Sequence, residues 1–210
     1  MTGIATRSRV LGAVAVLLAS TVTADSCGFE NPNSVSAQRG LLNLAYPNAL
    51  HVISAVWRAQ QEDLIERDNR PPAVKALLGY RGAVGKLETL RTRLERGLTA
   101  SEIPAFSLML VGPVLWSRYA QSDDVLTMAS HLQGPESGDL VVVTDEPVIA
   151  ALNDGRLTLK DAGELGLIRY YGPAERVQAL TLWLDGQLLS SDAKAQGRHF
   201  PTQMVTAKPK

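Results

Sequence analysis

The sequence has one cysteine, three histidines and no excess of either charge, and each of these shortages argues against a class of protein. A single cysteine cannot form an intrachain disulfide. Equal numbers of basic and acidic residues, 21 each, give no electrostatic basis for binding nucleic acid. The hydrophobic content of 45% is nevertheless enough for a buried core. We therefore expect a folded protein without a disulfide framework and without a nucleic-acid partner.

Recognisable metal-binding and phosphate-binding motifs are also missing. The histidines are far apart, with no pair at the spacing of a helical metal site: His51, His131 and His199. The stretch "GYRGAVGK" lacks the spacing of a phosphate-binding loop, and no strand is predicted before it. We therefore expect no metal and no cofactor.

Two pairs of residues have groups suited to catalysis. Cys27 and His51 would supply a thiol nucleophile and its base, but a cysteine in an N-terminal loop lacks the electropositive setting that activates a thiolate. Asp145 and Glu146 would supply two carboxylates, yet adjacent acids at the start of a helix are explained by the helix dipole. The sequence therefore favours a non-catalytic protein and leaves an unrecognised enzyme as an alternative.

Long hydrophobic runs are scarce, and the longest lies at the N-terminus. It covers residues 10–22, about 13 residues, which is well short of the ~20 needed to span a bilayer. Two arginines precede it, and Val22-Thr23-Ala24 offers the small residues that signal peptidase needs. These features predict a signal peptide at 1–24 and a periplasmic or secreted mature chain without a transmembrane segment. Its first residue would be Asp25.

Cys27 lies in a polar segment, residues 25–37, that is predicted to be an extended arm. The thiol could carry a lipid, pair with another chain, ligate a metal or simply be tolerated in a loop. Asp25 occupies a position at which lipid-attachment signals prefer a small or apolar residue, so a lipid anchor is disfavoured. A tolerated thiol is the simplest interpretation.

Residues 38–98 have the three- and four-residue spacing of apolar side chains that is typical of helices. A first amphipathic helix is predicted from Pro47 to about Arg67, and a second from Pro72 to the end of this range. Three glycines recur at every third position of the second helix: Gly79, Gly82 and Gly85. They indicate either close helix packing or a break, and packing is the preferred interpretation. The range therefore predicts a helical hairpin.

After Pro104 the pattern changes to short strands and turns. The stretch "AFSLMLVGPVLWSRYA" fits either two strands around Gly112-Pro113 or a bent buried helix. The β-branched run at 141–144 predicts a strand, and the chain beyond it predicts two short helices, another strand and a closing helix. The fold class is thus predicted to be α+β, with a small mixed domain at 103–190. The tail at 191–210 is predicted to be flexible.

The stretch "LVVVTDEPVIAALNDGRLTLKDAGELGLIRYYG", followed by an apolar helix, resembles the C-terminal part of SCP2 (sterol carrier protein 2) lipid-binding domains. The resemblance covers about 40 residues and depends on small and apolar positions: Asp145, Leu152, Gly155, Leu157, Ala162, Gly166, Ile168 and Gly172. It implies an apolar cavity between the sheet and the closing helix at Pro173–Leu189. The side chains expected to line this cavity are Leu110, Leu115, Trp116, Leu180, Trp183 and Leu184. The alternative is that they pack together as a solid core.

The sequence therefore predicts an exported, non-catalytic carrier or accessory protein of the cell envelope, with an apolar small molecule as its ligand. One alternative is a docking module that uses the helical hairpin to bind a larger exported protein. The other is an envelope enzyme without recognisable motifs.

Overall fold

A computed structural model describes residues 32–96, 98, 103–123 and 125–196. The predicted signal peptide lies outside the described residues, as do Cys27, His199, the first part of the predicted arm and the end of the predicted tail.

The described residues form six helices around one five-stranded sheet. In chain order the elements are α1 (Pro32–Ala45), α2 (His51–Gln61), α3 (Pro72–Glu95), β1 (Phe106–Leu110), β2 (Leu115–Ser122), β3 (Val125–Leu132), β4 (Leu140–Thr144), α4 (Glu146–Asn153), α5 (Leu159–Glu164), β5 (Arg169–Tyr171) and α6 (Ala174–Gln196). This combination confirms the α+β class. α1 is a helix that was not predicted, and it begins within the predicted arm. α2 is shorter than the helix predicted from Pro47 to about Arg67, and α6 continues into the predicted tail. No helix among the described residues is long and apolar enough to cross a membrane.

The strands are ordered β3-β2-β1-β4-β5. β1 and β2 are antiparallel and form a hairpin around residues 111–114, in which Leu110 and Leu115 face each other. The stretch around Gly112 is therefore two strands around a turn and not a bent helix. β4 returns to the other side of β1 and runs parallel to it, and β5 is antiparallel to β4. The two central strands, β1 and β4, are buried along their whole length.

Strand pairing determines which side chains share a face, because directly paired residues point to the same side and neighbours along a strand alternate. We call the face that carries Phe106 and Tyr119 the inner face. The two rings stack 4.8 Å apart, and the Tyr119 hydroxyl donates a 3.0 Å hydrogen bond to the Leu87 carbonyl of α3. The opposite, outer face carries Trp116 and Tyr171.

The helices of the 38–98 range reach both faces of the sheet. α3 covers the inner face, whereas Tyr46, which follows α1, lies on the outer face with its ring 5.9 Å from that of Trp116 and 5.2 Å from that of Tyr171. α2 follows Tyr46 and buries a row of small and branched side chains: Val52, Ala55, Val56 and Ala59. α3 and Tyr46 therefore lie on opposite sides of the sheet. Both sides need such cover, because the sheet is apolar on both faces.

The three glycines of α3 lie in an unbroken helix. A Cβ atom added to Gly79 or Gly85 would have no neighbouring atom within 4 Å, and at Gly82 it would make only an ordinary contact of 3.8 Å with a Glu146 oxygen. The preferred interpretation, close helix packing through these glycines, is therefore wrong. The glycine spacing is not explained by any contact between described residues.

The C-terminal elements have the local signals that the sequence predicts. Asp145 is the N-cap of α4, and its carboxylate accepts a 2.8 Å hydrogen bond from the Glu146 amide. Thr158 is the N-cap of α5 and accepts a 3.1 Å hydrogen bond from the Asp161 amide, as its capping-box spacing indicates. In α6, Leu180 is fully buried, so this helix packs into the core.

Candidate functional site

The sheet register divides the six side chains that are predicted to line a ligand cavity. Leu110 and Leu115 are buried and lie opposite each other on the inner face. Trp116, the next residue, points to the outer face and contacts Tyr46. Trp116 therefore does not share a face with Leu110 and Leu115, which corrects that part of the expected lining.

The three α6 residues of the expected lining lie in or against the core. Leu180 and Leu184 are buried, and Trp183 is half-buried and packs against the hydrophobic cluster. The next turn adds Leu188, also buried. α6 thus presents a line of leucines to the protein interior.

The register also reveals a row of residues that sequence reasoning missed. One directly paired residue from each strand crosses the inner face, in the order Ser130, Ser117, Leu108, Val142 and Tyr170. We call this set the hydroxyl row. Its centre, Leu108 and Val142, is apolar and buried, and a hydroxyl group follows on each side. With strands ~4.8 Å apart, the backbones of Ser117 and Tyr170 are roughly 14 Å from each other.

Two hydroxyl groups of this row are buried without a hydrogen-bond partner among the described residues. They are Ser117 Oγ and Tyr170 Oη. A buried polar group that loses its hydrogen bond costs about 1–3 kcal/mol, and most such groups in folded proteins are paired. Burial raises the pKa of Tyr170, and the nearby Asp185 carboxylate of α6 raises it further, so this phenol stays protonated and remains a donor.

Gly172 lies between β5, which carries Tyr170 of the hydroxyl row, and α6. Its φ of +143° lies in a region that favours glycine, and an added Cβ atom would collide with the Leu140 side chain. Val177 of α6 lies on the same side, 3.8 Å from that Cβ position. The absence of a side chain at Gly172 therefore lets α6 begin directly against the inner face, four residues after Tyr170.

The two adjacent carboxylates that could have served acid and base chemistry are used in structural contacts. The Asp145 carboxylate accepts hydrogen bonds from the Gly112 and Glu146 amides, at 3.1 and 2.8 Å, and burial raises its pKa. Glu146 forms an ion pair with Lys86 of α3. Arg39 of α1 donates to the carbonyls of Val111 and Gly112, in the same β1–β2 turn. These contacts join α1, α3 and α4 to one corner of the sheet.

The other polar groups singled out in the sequence are dispersed. His51 is exposed at the start of α2. His131 is skipped in the β2–β3 pairing, where the register shifts, and its ring lies 4.0 Å from that of Tyr80. Among the described residues, no group of three or more His, Cys, Asp or Glu side chains is placed to hold a metal ion.

A polar surface pocket of roughly 390 Å³ lies between the α2–α3 loop and the turn after α4. It is lined by Asp63, Ile65, Glu66, Arg67, Asn69 and Arg156. Arg156 is paired with Glu66 and Asp154, and Arg67 with Asp63, so the charges are balanced within the pocket wall. This pocket offers no concentrated charge for a ligand.

Comparisons with known proteins give a partial structural likeness only. No protein-family model matches the sequence, and no curated protein sequence matches it at a significant level. Among solved structures, the UbiJ-SCP2 ubiquinone synthesis protein has a TM-score of 0.32 and 16% identity over 74% of this chain and 96% of that one. A conserved hypothetical protein from Thermus thermophilus, described as a candidate sterol carrier protein, has a TM-score of 0.33 and 13% identity over 53% of this chain and 80% of that one.

A third similar structure is the inverting sec-alkylsulfatase Pisa1 from Pseudomonas sp., with a TM-score of 0.33 and 14% identity over 47% of this chain. The chain spans only 14% of the alkylsulfatase's length. One of these three descriptions mentions SCP2 and another mentions a sterol carrier protein.

Proposed function

We propose that the protein is an exported, non-catalytic carrier of the cell envelope that holds an amphipathic small molecule between the inner face of the sheet and α6. The apolar part of the ligand would lie over Leu108 and Val142, and its polar groups would bond to the hydroxyls on either side. Export is inferred from the sequence pattern at 1–24 alone.

The observation that supports this proposal is the pair of buried hydroxyl groups, Ser117 Oγ and Tyr170 Oη, that lack a partner among the described residues. They lie in one row, separated by two apolar side chains. A ligand with polar groups flanking an apolar segment would satisfy both hydroxyls and remove the cost of leaving them unpaired. An amphipathic ligand suits this row better than a purely apolar one.

α6 supplies the second wall of the proposed site. Leu180 and Leu184 are buried against the protein interior, and Asp185 is close enough to Tyr170 to influence its pKa. Leu180 is fully buried, so uptake of a ligand beside it would require α6 to move. The helix would act as the movable cover of the site.

The test compares two tryptophan substitutions on α6 in the purified full-length protein, with a fluorescent fatty acyl probe as ligand. Leu180→Trp enlarges a fully buried side chain of α6, whereas Leu182→Trp lies on the outer side of the same helix, where the leucine is 69% exposed. We expect the parent and Leu182→Trp to bind the probe and Leu180→Trp to lose binding while keeping its circular dichroism spectrum.

Two results would contradict the carrier function. One is that the parent protein binds no probe and carries no small molecule in native mass spectrometry. The other is that Leu180→Trp binds the probe as the parent does but is destabilised by about 1–3 kcal/mol, which is the cost of overpacking a solid core.

A further inference from the structure

Four large apolar side chains of α1 and α2 are exposed. Their exposed fractions are 65% for Leu41, 80% for Leu44, 37% for Ile53 and 63% for Trp57. We call these four residues the α1–α2 surface. Single exposed leucines are common on protein surfaces, but here a tryptophan and three aliphatic side chains are exposed within residues 41–57, on two consecutive helices.

The opposite sides of both helices are fixed to the protein body, so the α1–α2 surface faces away from it. Leu42 of α1 is buried, and α2 buries Val52 and Val56. Arg39 ties α1 to the β1–β2 turn, and the Tyr171 hydroxyl donates a 2.7 Å hydrogen bond to the Pro47 carbonyl in the connection between the helices. The apolar surface is therefore presented by anchored helices.

The charge of this region distinguishes it from the rest of the chain. Residues 31–61 contain no Asp or Glu, although the chain has 21 acidic residues, and the first acid after Glu30 is Glu62. The same range contains two arginines: Arg39 is bound to the β1–β2 turn, whereas the Arg58 side chain is exposed on α2, next to Trp57 in sequence. An apolar surface with an exposed arginine and without carboxylates complements an anionic lipid surface.

We propose that the α1–α2 surface binds the face of an anionic lipid bilayer. Leu41, Leu44, Ile53 and Trp57 would enter the boundary between headgroups and acyl chains, and Arg58 would contact lipid phosphates. Tryptophan is favoured at this depth because its ring is amphipathic. The binding is peripheral, because neither helix crosses the bilayer. It is independent of the carrier site, since the α1–α2 surface is formed by other residues.

The experiment measures binding of the purified full-length protein to vesicles of phosphatidylcholine alone and of phosphatidylcholine with phosphatidylglycerol. The N-terminal apolar run at residues 10–22 is the same in every variant, so differences in vesicle binding between variants do not come from it. We expect co-sedimentation with the anionic vesicles that weakens as salt is raised. The Leu44→Ser and Trp57→Ser double variant should bind about tenfold more weakly, and Arg58→Glu should lose the preference for anionic lipid.

Leu182→Ser is the matched control, because Leu182 is equally exposed but lies on α6. It should bind vesicles as the parent does. The proposal is overturned if the parent ignores both kinds of vesicle, or if the control loses as much binding as the double variant. A dimer that forms in solution and is abolished by Trp57→Ser, without vesicle binding, would instead assign this surface to a second copy of the chain.

Discussion

Tyr170 and Tyr171 are consecutive residues of β5, yet their hydroxyl groups have opposite surroundings. The Tyr171 hydroxyl lies on the outer side and donates to the Pro47 carbonyl. The Tyr170 hydroxyl is buried on the inner side and has no hydrogen-bond partner among the described residues. The two tyrosines can therefore be compared directly. Removing the Tyr171 hydroxyl tests a hydrogen bond within the protein, and removing the Tyr170 hydroxyl tests a buried group without one among the described residues.

Tyr171→Phe should lower the free energy of unfolding by about 0.5–1.5 kcal/mol, the usual loss for one hydrogen bond. Tyr170→Phe should leave stability unchanged or raise it, because it removes a buried hydroxyl that makes no bond to a described residue. If the carrier proposal is right, Tyr170→Phe should also weaken binding of a probe with a polar headgroup. Urea denaturation and probe titration measure these effects. Equal destabilisation by both changes would show that Tyr170 has a structural bond within the protein.

Two glycines should respond to alanine in opposite directions. Gly85 is exposed in the middle of α3 with open space around it, so Gly85→Ala should stabilise the protein by about 0.5–1 kcal/mol. At Gly112 an added Cβ atom would lie 2.7 Å from an Asp145 oxygen, so Gly112→Ala should destabilise the protein. Thermal unfolding of both variants checks the prediction. A loss of stability in Gly85→Ala would mean that this turn of α3 has a neighbour outside the described residues.

Asp145→Asn should change how stability depends on pH. Burial raises the pKa of Asp145 above its ordinary value of 3.8, so the folded protein binds this proton more tightly than the unfolded chain does. The Asp145 contribution is therefore most favourable below pH 3.8 and is lost as the pH rises through the raised pKa. Both amide hydrogen bonds go to Oδ1, which asparagine retains.

The stability of Asp145→Asn relative to the parent should therefore increase as the pH rises from about 4 and then level off. Urea denaturation at several pH values gives this difference. Asp145→Ala is the control, since it leaves two amides without their acceptor and should cost about 1–3 kcal/mol. A constant difference between Asp145→Asn and the parent across the pH range would show that the carboxyl titrates normally.

N-terminal sequencing of the chain from its native host should find Asp25 as the first residue. The reason is the basic start, the short apolar run and Val22-Thr23-Ala24 before the expected cleavage point. Mass spectrometry of the same material would show whether Cys27 is modified. Retention of Met1, or a lipid on Cys27, would contradict the predicted processing.

The C-terminal elements were predictable because their signals are local. The strand at 141–144 follows from its β-branched run, and α4 ends before Gly155, which has a φ of +68°. The cap of α5 follows from the spacing of Thr158 and Asp161. Each of these features depends on residues within a few positions of one another, so the sequence alone was sufficient.

The features that escaped prediction depend on contacts between distant residues. Trp116 was expected to line the cavity together with Leu115, but adjacent residues of a strand point to opposite faces. The turn before β2 determines which of the two faces inward. The hydroxyl row was missed because it appears only after five strands are placed in register. Ser117 lies between Leu115 and Tyr119 in the alternating pattern of β2 and points to the same face as they do. An inward-facing serine was the one available signal, and it could be interpreted only once it was known which residues of β2 face inward.

The parallel pairing of β1 with β4 also determines the order in which the sheet can assemble. As the chain is synthesised from its N-terminus, β1, β2 and β3 can pair as a meander, but one edge of β1 stays open until β4 arrives. Until Leu140 meets Phe106, the segment "FSLML" presents unpaired amides and carbonyls between apolar side chains. Such an edge favours pairing with another chain, so aggregation during synthesis or refolding is expected to begin at β1.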